Sequence, residues 1–230
     1  MERFLRTKAL LGEENFKALQ NKTVAVFGVG GVGSYAAESL VRCGVGNIYI
    51  YDSDIVAKSN INRQLIATDN TVGEKKVEVA KKRYLEINPD LNITAVCEFV
   101  TPESTVPFEQ FDFIIDAIDN VTAKIFLIEN ATNKNIPIIS VTGTGNKIFP
   151  ERLKIGDIYK TDTCPLCRVL RTELKKRNIK KLNVVWSDEK PIEPESIAED
   201  KKKTVASVPF VPGSAGLMAA AFAVRNLLEI

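Results

Sequence analysis

The sequence predicts an α/β fold: a Rossmann-like, mostly parallel sheet with helices on both faces, and a smaller C-terminal α+β part completing the sheet. Three observations lead there. Apolar runs of strand length alternate with helix-length amphipathic patterns from Thr23 to Val141. The first run, Val24 to Phe27, breaks into Gly28-Val29-Gly30-Gly31-Val32-Gly33 and opens a helical pattern. Acids and glycines gather where the runs end, at Asp52 and Asp54, Asp116 and Asp119, and Gly143 and Gly145. In an open parallel sheet that edge is where ligands bind.

Two short helices, Arg3 to Leu11 and Glu13 to Leu19, precede the first strand. The glycine run leads into a helix from Ser34 to Cys43, with Gly44 placed for a left-handed cap. Strand Ile48 to Tyr51 follows, then a helix from Lys75 that Asn88-Pro89 ends. Asn92 to Phe99 reads as a strand, Thr101-Pro102-Glu103 as a turn or short helix, and Phe111 to Ile115 as a buried parallel strand. A helix over Val121 to Asn133 and a strand over Pro137 to Val141 close the regular alternation. Beyond Ile148 the pattern weakens. It suggests a strand with a turn at Leu153 to Ile158, a helix from about Arg168 to Arg177 and a strand from Asn183 to Trp186. Pro191 to Lys203 is polar and proline-punctuated, as in a mobile loop or crossover. A strand at Val205 to Val208, a turn at Pro209 to Gly213 and an alanine-rich helix capped by Ser214 finish the chain. That helix is apolar nearly all round, so the core or a subunit interface should cover it. The expectation is one domain, with N-terminal helices in 1–22, a nucleotide-binding core in 23–150 and a substrate and dimer part in 151–230.

Composition narrows the chemistry. The 230 residues carry a net charge of only +2, so any polyanionic partner must meet a local patch. There is no histidine, which removes Ser-His-Asp and Cys-His catalysis and histidine metal sites. The four cysteines suit reduced thiols. The amino terminus lacks a signal-peptide core, and no apolar run reaches the roughly 18 residues a bilayer needs. A cytoplasmic protein with no membrane partner is expected.

The glycine run (Gly28, Gly30, Gly31, Gly33) lets backbone N–H groups approach phosphate oxygens, and Asp52, about 20 residues on, can accept bonds from ribose hydroxyls. A dinucleotide enzyme has no need of the next cluster, Asn60, Arg63 and Gln64, followed by Lys76; a site holding a triphosphate does. Arg63 offers a planar fork and Lys76 a point charge. Asp116 and Asp119, two acids at once on that edge, suit Mg²⁺; the rival reading is acids at the positive end of the following helix. Arg3 and Arg6 lie one turn apart and read by themselves as solvated charge. Arg168, Arg171, Lys175, Lys176, Arg177, Lys180 and Lys181 form either a solvated helix face or a phosphate-contacting strip. Cys164 and Cys167 cannot complete a four-ligand zinc site; they are thiols in the packing, a redox pair, or half of a metal site shared across a dimer.

Five ordered motifs lie between Gly28 and Asn120: Gly28-x-Gly-Gly-x-Gly, Asp52-x-Asp54, Asn60-x-Asn-Arg-Gln64, Val72-Gly-x-x-Lys76 and Asp116-x-x-Asp119-Asn. With them the chain resembles the ubiquitin-activating-enzyme-like superfamily of ThiF and MoeB type. The resemblance implies ATP and Mg²⁺ as cofactors, with Asp52 on the ribose, Asn60, Arg63, Gln64 and Lys76 on the phosphates, and Asp119 on the metal. It also implies that Arg6 reaches the neighbouring subunit's site in a homodimer. Arg3-Phe4, Phe99-Val100-Thr101-Pro102-Glu103 and Val184-Val185-Trp186-Ser187 are most similar to the branch that dehydrates threonylcarbamoyladenosine in tRNA. That branch adenylates the threonine carboxylate and closes a ring, releasing AMP and pyrophosphate. The basic strip would then contact tRNA, and a sulfur-relay protein stays open as a further partner. The alternative is an adenylyltransferase acting on the C-terminus of a ubiquitin-like sulfur carrier. Against it stand the single CxxC and the lack of any cysteine after Cys167. A nonenzymatic nucleotide-binding or redox module would leave Arg63, Lys76 and Asp119 without a role.

Overall fold

The computed structural model describes residues 2–195 and 205–230. Helices α1 (Leu5–Leu11) and α2 (Glu13–Gln20) lead into β1 (Thr23–Phe27), α3 (Gly33–Cys43) and β2 (Asn47–Tyr51). Then come α4 (Lys76–Ile87), β3 (Asn92–Val96), β4 (Phe113–Asp116), α5 (Val121–Asn133) and β5 (Ile138–Val141). The last part supplies β6 (Leu153–Asp157), α6 (Pro165–Lys176), β7 (Asn183–Ser187) and α7 (Phe210–Leu228). All seven strands form one sheet in the order β3-β2-β1-β4-β5-β7-β6. Every pairing is parallel except β6 with β7. The mostly parallel sheet expected from the sequence is present, and the C-terminal part completes it.

Side-chain alternation explains the two layers. Val24, Val26, Ile48, Ile50, Phe113 and Ile115 point to one face, where α3, α4 and α7 cover them. Ala25, Phe27, Tyr51 and Ile114 point to the other, under α5 and α6. Both faces are buried, which is why the strands read as continuous apolar runs. The two strands beside β1 are β2 and β4, reached by crossovers in opposite directions. That switch point opens a crevice above their C-terminal ends.

Several boundaries differ from expectation. Helix α6 begins at Pro165, since proline suits a first helical position whose N–H has no helical partner. Helix α7 begins at Phe210, so the expected turn at Pro209 to Gly213 is its first turn, with Pro212 among the positions that need no N–H partner. Val205 to Val208 is not a strand. The Asn146 amide donates to Ala206 O at 2.7 Å, and Asn146 Oδ1 accepts from Ala206 N at 2.7 Å, so these groups serve a loop and no ladder. Strand β3 stops at Val96, short of Phe99. Of the expected loop at Pro191 to Lys203, residues 191–195 have no regular structure and the rest lies outside the described residues. One described helix, α7, is long and apolar enough to cross a membrane; half of it is buried, and it packs on α3.

Candidate active site

A cleft of about 710 Å³ opens at the C-terminal ends of β1, β2, β4 and β5. It is lined by Gly28, Gly30, Gly31, Asp52, Asp54, Asn60, Arg63, Gln64, Lys76 and Asp119. All the candidate nucleotide-binding residues meet there except Gly33. Gly33 is a packing residue: a Cβ on it would lie 1.7 Å from Gly28 O, so only glycine lets α3 sit against the turn. Gly28 needs its φ of +88°, and a Cβ there would meet Ala117 O at 2.7 Å.

The acid at the end of β2 organises the turn. Asp52 Oδ2 accepts from Val29 N at 2.7 Å, and Oδ1 accepts from Asp54 N at 2.9 Å. Lys76 Nζ stands 4.0 Å from the same carboxylate and donates to Asp54 Oδ2 at 2.6 Å. Lys76 is only 4% exposed, so these two acids hold its charge in place at the start of α4.

Arg63 and Gln64 are presented by a tight turn. Asn60 O accepts from both Arg63 N and Gln64 N, and Asn60 Oδ1 accepts from Ala57 N. Arg63 Nη1 donates to Ser59 O and Asn62 Oδ1, both at 2.9 Å. The Arg63 stem runs over Gly31, where a Cβ would lie 3.3 Å from its Cγ. Gln64 is 7% exposed and its Oε1 has no hydrogen-bond partner, an orphaned polar atom in the cleft wall.

The two acids at the end of β4 have separate fates. Asp116 is fully buried: its Oδ2 accepts from Lys124 Nζ at 3.0 Å and from Ser140 Oγ at 2.6 Å, and its Oδ1 accepts from Ile118 N. This corrects the expectation that Asp116 could face a metal. Asp119 is exposed in the cleft, and the N-cap of α5 is Asn120, whose Oδ1 accepts from Ala123 N. The helix-cap alternative for Asp119 is thereby removed. No cluster of three acidic or cysteine groups exists among the described residues. Mg²⁺ needs none beside a polyphosphate, since it keeps waters and takes one or two carboxylates, so Asp119 fits such a role.

Sequence reasoning placed Gly143 and Gly145 at this sheet edge but assigned no site role to Glu98, Phe99, Asn146 or Lys147. Glu98 and Phe99 line one end, while Gly143, Thr144, Asn146, Lys147 and Cys164 line the other. Lys147 is buried and donates to Ser187 O at 3.2 Å, and burial lowers its pKa. A hydrogen bond from Cys167 pulls the Cys164 thiol down to about 5, whereas the Cys167 thiol is pushed up. A lone lysine in a turn carries no sequence signal.

The remaining candidates lie outside the cleft lining. Arg6 is exposed on α1. In the basic strip, Arg171 donates to Thr161 O at 2.8 Å and to Thr161 Oγ1, tying α6 to the preceding turn. Lys176 and Arg177 pair with Glu173, and Arg177 also with Glu129. Lys176 and Arg177 are exposed all the same, and Arg171 is half-buried. Arg168, Lys175, Lys180 and Lys181 are exposed.

A glycine turn, a ribose-ready acid and an Arg-Gln-Lys cluster at one sheet edge define an α/β nucleotide-binding protein with a cleft shaped for a polyphosphate. The chain belongs to the ThiF family, whose profile matches residues 2–230. It is 43% identical to the tRNA threonylcarbamoyladenosine dehydratase of Bacillus subtilis, over all of this chain and 96% of that one. It is 39% identical to the Escherichia coli enzyme of the same name, over 76% of this chain and 66% of that one. The crystal structure of the E. coli dehydratase with ATP superposes with a TM-score of 0.91 at 32% identity, covering 99% of this chain and 94% of that one.

Proposed function

We propose that the protein uses ATP to dehydrate threonylcarbamoyladenosine in tRNA. The observation that carries this is the convergence of Asp52, Asn60, Arg63, Gln64 and Lys76 in one cleft of a chain matching named dehydratases end to end. A threonine carboxylate oxygen attacks the α-phosphorus of ATP and pyrophosphate leaves. A nitrogen of the same side chain then attacks the acyl carbon, and AMP departs with the former carboxylate oxygen. The nucleoside has lost one water. Because the nucleophile is within the substrate, the site only positions reactants and offsets phosphate charge. Arg63 and Lys76 would do the second, and the orphaned Gln64 Oε1 would accept from a hydroxyl or amino group of the nucleotide.

Finer assignments belong to the same proposal. Asp119 would hold Mg²⁺, whose chemistry is neutralising phosphate charge. Residues 23–150 would take the nucleotide and 151–230 the substrate and a second subunit. Arg6 would enter the site of that subunit in a homodimer, and Arg168, Lys175, Lys180 and Lys181 would meet tRNA phosphates in the cytoplasm. The test is nucleoside mass spectrometry on threonylcarbamoyladenosine-bearing tRNA incubated with the protein and Mg-ATP. Loss of one water mass with stoichiometric AMP is expected. An unchanged nucleoside with a protein that still binds ATP would overturn the proposal in favour of a peptide-activating reaction.

A further inference from the structure

The far wall of the cleft holds a group of side chains that adenylation does not use. Cys164 is the N-cap of α6, and Cys167 lies one turn inside that helix. Both thiols are buried there, and Thr142 Oγ1 lies 3.0 Å from Cys167 Sγ. Gly143, at φ +58°, lets the thiol pack against its backbone: a Cβ there would lie 2.5 Å from Cys164 Sγ and 3.5 Å from Lys147 Nζ. Thiol and ammonium thus meet beside one glycine.

The pair is asymmetric. Cys164 is 1% exposed, and the cleft is the open side it lines. Cys167 is fully buried behind it and does not line the cleft. A helix N-terminus and a nearby lysine favour a thiolate at the outer position, while the inner thiol keeps its proton. Glu189 and Asp188, at the end of β7, also act on Lys147. Glu189 is itself engaged, accepting from Ile148 N and Phe149 N. Asp188 is paired with Arg152 and Lys154.

We propose that Cys164 and Cys167 form a redox-active dithiol, oxidised to a disulfide by a small hydroperoxide that enters through the cleft. The Cys164 thiolate attacks the terminal peroxide oxygen, the O–O bond breaks, and the leaving oxygen takes a proton and departs as an alcohol, or as water when the oxidant is hydrogen peroxide. Cys164 is then a sulfenic acid. The Cys167 sulfur attacks it, the S–O bond breaks, and the released hydroxide leaves as water with the Cys167 proton. Two thiols have lost two electrons and the peroxide has gained them. Cys43, half-buried with its thiol pKa raised by burial, and the exposed Cys97 provide controls inside the same chain.

The test treats the full chain with one equivalent of hydrogen peroxide, caps free thiols with a maleimide and maps the peptides. A Cys164–Cys167 disulfide, two mass units lighter than the dithiol, is expected while Cys43 and Cys97 stay capped. In Cys167→Ser, where the disulfide cannot form, dimedone should label Cys164. Oxidation at Cys97 with the pair intact would overturn the proposal. So would a Cys167→Ser protein that is folded by circular dichroism and takes up no dimedone at Cys164.

Discussion

Two carboxylates three residues apart show how much a single side chain's surroundings decide. Asp116 and Asp119 lie at the end of the same strand, yet one is locked to Lys124 beneath the cleft floor and the other stands open in it. Removing the first partner strands a buried charge, so Lys124→Met should destabilise the protein by about 3–5 kcal/mol, read by urea denaturation. Asp119→Ala should leave that transition unchanged. It should lower Mg²⁺-dependent AMP release by roughly 100-fold, the scale of losing one charge-stabilising group in a site of this kind. An Asp119→Ala enzyme with full turnover would remove the metal role from this residue.

Among the elements, α7 depends on close approach. A Cβ on Gly216 would lie 2.2 Å from Val32 O and 3.1 Å from Ala36 N, so α7 meets the start of α3 backbone to backbone with no room for a methyl group. Gly216→Ala should therefore cost roughly 1–3 kcal/mol of stability despite alanine's better helix propensity, measured as a lowered denaturation midpoint. At the opposite sheet edge, Arg152 and Lys154 hold Asp188 at the end of β7 and bring its pKa down to about 2. A carboxylate depressed in the folded state adds stability above its unfolded pKa, near 4, and loses that contribution as pH falls through the folded value. Asp188→Asn should flatten the fall in stability between roughly pH 4 and pH 2, seen in acid-unfolding curves.

For the whole molecule, a net charge of +2 means that any RNA contact is local. Arg171 is tied to Thr161, and Lys176 and Arg177 sit in surface ion pairs with Glu173, so the load would fall first on the exposed Arg168, Lys175, Lys180 and Lys181. Lys180→Ala with Lys181→Ala should weaken tRNA binding. The slope of log affinity against log salt should become shallower by about one for each phosphate no longer neutralised, with ATP affinity unchanged. Equal tRNA affinity in the variant would place the RNA elsewhere.

The sequence by itself determined the sheet, the crossovers and the nucleotide end of the cleft. Those features rest on local signals: apolar runs, a glycine turn, an acid at a strand end and a cation cluster within one short segment. Tertiary structure decided what depends on partners distant in the chain. It turned Asp116 inward to Lys124 and Ser140, and gave Gly33 a packing role. It tied three of the seven basic residues into internal bonds. It denied Val205 to Val208 a place in the sheet, because Asn146 takes up the backbone of Ala206. It also brought Lys147 and Cys164 together beside Gly143, a meeting no spacing could announce. A local pattern fixes which way a side chain leaves its element; what it meets there is set by how the elements pack.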